Sequence, residues 1–123
     1  RIEASSNAWP HDLLDLKQGD VLAVFDIRRY ENTTLRMAEM ARERGARIIL
    51  FTDQWRSPVA RFADHTFGLH IEVPSAWDST AAIMLLVETM ISAVVTQTWD
   101  TTRQRMETLE EMFDRTGFFR KFK

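Results

Sequence analysis

At 123 residues the chain is one domain long and can bury a real core, and its 45% hydrophobic and 28% charged content is that of an ordinary globular protein. A net charge of -2 argues against a surface built to hold nucleic acid, which needs a basic patch or stripe. The absence of cysteine excludes disulfide staples, thiolate zinc sites and cysteine nucleophiles, and suits a cytoplasmic protein.

In chain order, Arg1–Ser5 reads as the inside of a strand, which together with the arginine start suggests a fragment of something longer. Trp9–Leu16 is a short helix or turn. Lys17-Gln18-Gly19-Asp20 leads into Val21–Phe25, a strand apolar throughout, as expected where helices cover both faces of a parallel sheet. The next helix starts at Asn32 or Thr33, both acceptable N-caps, and stops at Gly45. Leu35, Met37, Ala38 and Ala41 supply its apolar side, while Arg42 and Arg44 suit its negative end.

Arg47–Phe51 is the second strand. Ser57-Pro58 then reads as an N-cap and a first-turn proline, opening a short helix through Ala63. Thr66–Val73 is a third strand, ended by Pro74. Asp78 or Ser79 caps a long apolar helix that runs to about Gln97. Its core, Thr80–Val95, is interrupted by Glu88 and too short to span a membrane. Glu88, Ser92 and Thr96 recur at four-residue steps, so one polar stripe runs down a buried or interface helix. Thr101 and Gln104 form a capping box for a last helix over about 101–116, with Met106, Leu109, Met112 and Phe113 on its apolar face and Gly117 at its end. Repeats, low-complexity stretches and linkers are absent, so residues 1–123 read as a single domain.

Two strand-to-turn junctions, Val21–Tyr30 and Ile48–Ala63, carry the functional signal. Each apolar run breaks into polar residues and is followed by a helical pattern, the arrangement of a parallel α/β sheet. Small ligands bind such sheets at the carboxyl ends of the strands. In Asp26–Glu31, Arg28 and Arg29 beside Tyr30 can clamp a phosphate or carboxylate, since guanidinium forks match such anions bidentately. Equally, Asp26 and Glu31 can neutralise the two arginines in a structural ion-pair knot or a subunit contact. Thr52–Ser57 offers a hydroxyl, the Asp53 carboxylate and a helix N-terminus that can orient a polar ligand. The structural alternative there is that Ser57 only caps and Asp53 only closes the turn.

Other candidates are weaker. His11, His65 and His70 lack metal-ligand spacing, so no metal is expected. Glu88 as a buried base is explained more economically by the polar stripe. The tail Phe118–Lys123 mixes rings and cations, but terminal phenylalanines more commonly pack on their own domain. The four glycines are scattered, without a dinucleotide fingerprint or P-loop, so no cofactor is expected. No G-x-S-x-G elbow is present, and nothing assembles a nucleophile, a base and an orienting group. The residues alone do not support catalysis.

From about residue 9 to 115 the sequence resembles the sugar isomerase (SIS) domain, most of all the version found in RpiR-type transcriptional regulators. The resemblance rests on Gly19-Asp20-Val21-Leu22, Ala41, Gly45-Ala46, Thr52-Asp53, Ser57-Pro58 and Ala63-Asp64, with Trp9-Pro10 before them and Ser79 opening the long helix. It implies a three-layer flavodoxin-like sandwich around a parallel sheet, with the opening strand and its Gly/Ser phosphate turn, and any helix-turn-helix domain, upstream of Arg1. It also implies a non-enzymatic domain that binds a sugar phosphate and dimerises through its helices, here with Thr80–Val95 as the subunit contact. DNA would be reached only through a domain outside this chain.

In such domains a second phosphate turn has the pattern S-x-S-G-x-T. Counted back from Gly45, its serines fall on Asp26 and Arg28, its glycine on Arg29 and its threonine on Glu31. A cradle of hydroxyls and amides has become a charged turn. The expected ligand residues are therefore Asp26, Arg28, Arg29, Tyr30, Asp53 and Ser57, taking a sugar phosphate, a sugar acid or a related anion. The alternatives are an aldose–ketose sugar-phosphate isomerase and a dimerisation module without a ligand.

Overall fold

The structure is a computed structural model that describes residues 9–117 and residue 119. The strand expected at Arg1–Ser5 and most of the aromatic-basic tail lie outside the described residues. The chain divides into two compact units, residues 1–83 and 84–123.

The first unit holds α1 (Trp9–Leu14), β1 (Val21–Asp26), α2 (Asn32–Glu43), β2 (Arg47–Asp53), a 3-10 turn (Pro58–Arg61) and β3 (His65–Leu69). The strands form one parallel sheet in the order β1-β2-β3, with Leu22 opposite Ile48, Val24 opposite Leu50 and Asp26 opposite Thr52. Parallel pairing forces each connection to cross over, and α2 and the 3-10 turn make those crossovers. Leu13, Leu22, Val24, Met37, Ala38, Ala41, Ile48, Leu50 and Val59 make the core between the sheet and these segments.

Burial along β1 alternates strictly. Leu22, Val24 and Asp26 turn into the core, while Val21, Ala23 and Phe25 are exposed, so the apolar run does not mark a strand covered on both faces. The second face carries an aromatic ladder instead. Phe25 stacks on Phe51 (centroids 4.6 Å apart, planes 8° apart), and Phe51 on Phe67 (5.6 Å, 22°), one ring from each strand at the same register.

Strand ends follow the ladder more than the composition. β2 continues past Phe51 through Thr52 and Asp53, because β1 and β3 supply partners up to Asp26 and Leu69. β3 stops at Leu69 rather than Val73 because β2 has ended opposite it. The N-cap of α2 is Glu31, in extended backbone and without a side-chain cap, so Asn32 and Thr33 lie inside the first turn. Gly45 ends that helix as expected: its φ of +85° suits glycine, and a Cβ there would stand 3.1 Å from the Gln18 side chain. Ser57 caps the 3-10 turn as expected, its Oγ accepting from the Val59 N–H at 3.1 Å.

Arg42 Nη1 donates to both carboxylate oxygens of Asp64, at 2.9 and 2.8 Å, and Asp64 also accepts from the Ile48 N–H at 2.7 Å. That N–H and the guanidinium keep the Asp64 carboxyl below its ordinary value. The three bonds tie α2, the start of β2 and the end of the 3-10 segment to one side chain.

The second unit holds nearly all of α3 (Ala81–Gln97) and all of α4 (Trp99–Thr116). The Ser79 Oγ accepts from the Ala81 N–H at 3.2 Å, so of the two candidate caps for the long helix it is Ser79 that serves. α4 begins at Trp99 after Thr98, which makes no side-chain cap, so the expected Thr101–Gln104 capping box does not form. The Thr98 hydroxyl donates instead to the Val94 carbonyl at 2.9 Å. Gly117 closes α4 in the left-handed region, as expected. α3 is not a buried helix in the single chain: Ile83 is buried, but Met84, Leu85, Ile91 and Val94 are exposed. Among the described residues no single helix is long and apolar enough to cross a membrane.

Leu50 lies fully buried at the centre of the core. Leu50→Ala should lower the unfolding free energy by about 2–5 kcal/mol in urea titrations, the range for a buried leucine whose cavity relaxes only in part.

Candidate functional site

The carboxyl edge of the sheet is organised around two buried carboxylates, Asp26 and Asp53. Asp26 ends β1 on the helix-covered face. It accepts a hydrogen bond from the Ser57 hydroxyl and a second from the Glu31 backbone N–H. The Ser57 N–H in turn donates to Thr52 Oγ1 at 3.0 Å, so Asp26, Thr52 and Ser57 form one closed buried cluster. Burial pushes the Asp26 carboxyl above its ordinary value, and the Ser57 and Glu31 donors pull it part of the way back.

Asp53 ends β2 one residue beyond Thr52 and so belongs to the opposite face. It gathers three donors: the Arg28 N–H at 2.6 Å, the Tyr30 hydroxyl at 2.5 Å and the Trp55 N–H at 3.0 Å. Burial, followed by the hydrogen bond and negative charge of Asp53, pushes the Tyr30 phenol up to about 12.

The Arg28 N–H reaches Asp53 because Arg28 takes a φ of +62°, rare for a residue with a Cβ, inside a tight turn closed by the Arg29 N–H and the Ile27 carbonyl at 2.8 Å. Its guanidinium pairs with Asp78 at 3.2 Å and lies over the Trp55 ring, 5.0 Å from the centroid. Arg29 is exposed and takes no ion-pair partner among the described residues.

The six expected residues therefore fall into three places. Asp26 and Ser57 meet under the helix face, Arg28 and Tyr30 meet on Asp53, and Arg29 stands apart in solvent. The ion-pair knot of Asp26 and Glu31 with the two arginines does not form: Arg28 pairs with Asp78, fifty positions away in sequence. Thr52, Trp55 and Asp78 complete the edge without having been singled out as ligand residues. Thr52 and Trp55 stood within the polar turn after β2, while Asp78 had a local explanation as a cap. Of the weaker candidates, Glu88, His65 and His70 are exposed.

The fold and this edge define an open parallel α/β domain with its polar cluster where the strands give way to turns. The SIS domain family model matches residues 2–93, well over half of the sequence, and the chain belongs to that family. No curated protein matches the chain. Among solved structures it is similar to the sugar isomerase domain of an RpiR transcription factor from Sphaerobacter thermophilus, with a TM-score of 0.78 and 20% identity. The match covers 86% of this chain and 59% of that one, so this chain spans little more than half of its neighbour's length.

Tyr30 is the sole tyrosine, so its ionisation can be read directly from tyrosinate absorbance. The native midpoint should lie near pH 12, against about 10 in denaturant. Because the folded state holds this proton more tightly, the stability Tyr30 contributes is complete below pH 10 and is lost as pH rises through about 12. A native midpoint equal to the denatured one would show that the Tyr30–Asp53 bond is absent in solution.

Proposed function

We propose that this chain is the non-catalytic, effector-binding and dimerising domain of an RpiR-like transcriptional regulator in the cytoplasm, responding to a sugar phosphate or another small anionic carbohydrate derivative. DNA contact belongs to a domain outside this chain. The observation that carries the reading is the Arg28 turn: an arginine in left-handed backbone, fixed by a buried carboxylate at the sheet's carboxyl edge, beside a second, exposed arginine. Backbone strain of this kind costs about 1–3 kcal/mol and collects at ligand clamps and switches.

The pairing of Arg28 favours exchange. Arg28 and Asp78 are 47% and 35% exposed, and ion pairs at such sites contribute only about 0.2–1 kcal/mol. A phosphate or carboxylate held bidentately by Arg28, with Arg29 as the second cation, can displace Asp78 at small cost. Catalysis by an acid–base pair has little support here, since Asp26 and Asp53 are both engaged by structural donors.

The exposed apolar side chains of α3, with the stripe Glu88–Ser92–Thr96 beside them, support this helix as the subunit contact.

Two experiments separate these parts. In calorimetry against a panel of sugar phosphates and sugar acids, Arg28→Ala/Arg29→Ala should abolish binding of whichever anion the parent chain takes, with unchanged circular dichroism; undiminished affinity would refute the clamp. In sedimentation, the parent chain should run as a dimer at micromolar concentration, and Leu85→Glu/Ile91→Glu should weaken that association, with a raised dissociation constant. A parent chain that is already monomeric would remove α3 as the contact.

A further inference from the structure

α4 carries a second, differently built surface. Trp99, Thr102, Met106, Leu109, Phe113 and Thr116 follow one another at alternating spacings of three and four, the period of a helix seam that packs on another helix. Among the described residues this seam is largely uncovered. α4 has no buried residue, and Trp99, Met106, Leu109 and the neighbouring Met112 are 40–58% exposed. Phe113 meets Phe119 edge-on, with ring centroids 4.9 Å apart, at the helix's far end.

We infer that the occupant of this seam is α4 of a second copy of the chain, packed antiparallel. Three features of the sequence along the seam select that partner and that direction. The first is size. Turned about a point between Glu107 and Thr108, the helix sets Trp99 against Thr116, Met106 against Leu109 and Phe113 against Thr102 of the second copy. Each large ring then meets a small side chain, whereas a parallel pair sets Trp99 on Trp99 and the threonines on each other.

The second is charge. In the antiparallel register Arg103 flanks the seam on the same side as Glu110 of the second copy, and the reciprocal pair forms by symmetry. The Arg103–Glu107 contact within one helix does not compete strongly, being 3.7 Å long with both side chains about 60% exposed. Arg105 comes to lie beside Met112 of the second copy, where its aliphatic stem can cover the exposed thioether.

The third is the backbone, since antiparallel helix dipoles attract where parallel ones repel. The inference depends neither on the anion clamp nor on the contact through α3.

The cysteine-free sequence makes the test direct. Arg103→Cys and Glu110→Cys are prepared as separate full-length chains, differently tagged, mixed and treated with a short bis-maleimide. Both positions are exposed, so the fold should be retained by circular dichroism. The antiparallel pair gives the mixed product, one Arg103→Cys chain joined to one Glu110→Cys chain, as the dominant dimer, with each same-site dimer near background. Dominant same-site dimers would mean parallel packing and overturn the inference. So would a statistical mixture of all three products, or no cross-linking at all. A chain that gives the mixed product but runs unchanged with Leu85→Glu/Ile91→Glu would fault the α3 contact and leave this one standing.

Discussion

The arrangement of this domain's edge depends on one buried carboxylate. Asp53 sits at the last position of β2 with no solvent exposure, and a charge in that position is costly unless donors surround it. Its donors come from two turns: the Arg28 N–H and Tyr30 hydroxyl from the turn after β1, and the Trp55 N–H from the turn after β2. The carboxylate thereby fixes both turns to each other. The left-handed backbone of Arg28 is the conformational cost of that fixation, and it directs the guanidinium across Trp55 toward Asp78.

Why the two acids of the edge play separate parts follows from strand parity. The register pairs Asp26 with Thr52, so these two share the helix-covered face, and Asp53, one residue on, must face the other way. Asp26 can therefore be closed in by Ser57 and by the entry to α2, while Asp53 is left to organise the arginine turn. A phosphate cradle of hydroxyls and amides has its ligand atoms at backbone level. Here that level is occupied by carboxylates already bound by donors, and the positive groups stand outward on long side chains. On the proposed reading, an anion at this edge would be met by guanidinium forks rather than by a nest of amides.

Much of this was legible from the residues because the signals were local. Apolar runs cut off by charged turns marked both strands, Ser57-Pro58 marked the 3-10 turn, and Gly45 and Gly117 marked helix ends where only a left-handed residue fits. The resemblance to the family runs through Gly45 and Ser57-Pro58 as well. What escaped was set by partners distant in sequence. The ladder, not composition, decided that β2 reaches Asp53 and that β3 stops at Leu69. The helix at Asn32 begins from Glu31 because Asp26 meets the Glu31 N–H, so two residues well suited to capping are not used as caps. Asp78 had a sufficient local role as a helix cap, and nothing near it in sequence points to Arg28.

The two long helices pose a physical question that composition also foreshadowed. Isolated helices of this length are marginal in water, and most of a helix's stability comes from packing its apolar face. Among the described residues α4 buries none of its side chains and α3 buries Ile83. Their apolar residues are nonetheless ordered differently. α3 is apolar around most of its circumference and broken by one narrow polar stripe, a pattern suited to a broad contact. α4 is polar apart from a narrow seam of alternating three- and four-residue steps, a pattern suited to a single partner helix. Two surfaces so differently shaped do not substitute for one another. A chain that uses both presents two distinct self-complementary faces, and whether these share one twofold axis decides between a closed dimer and a larger assembly.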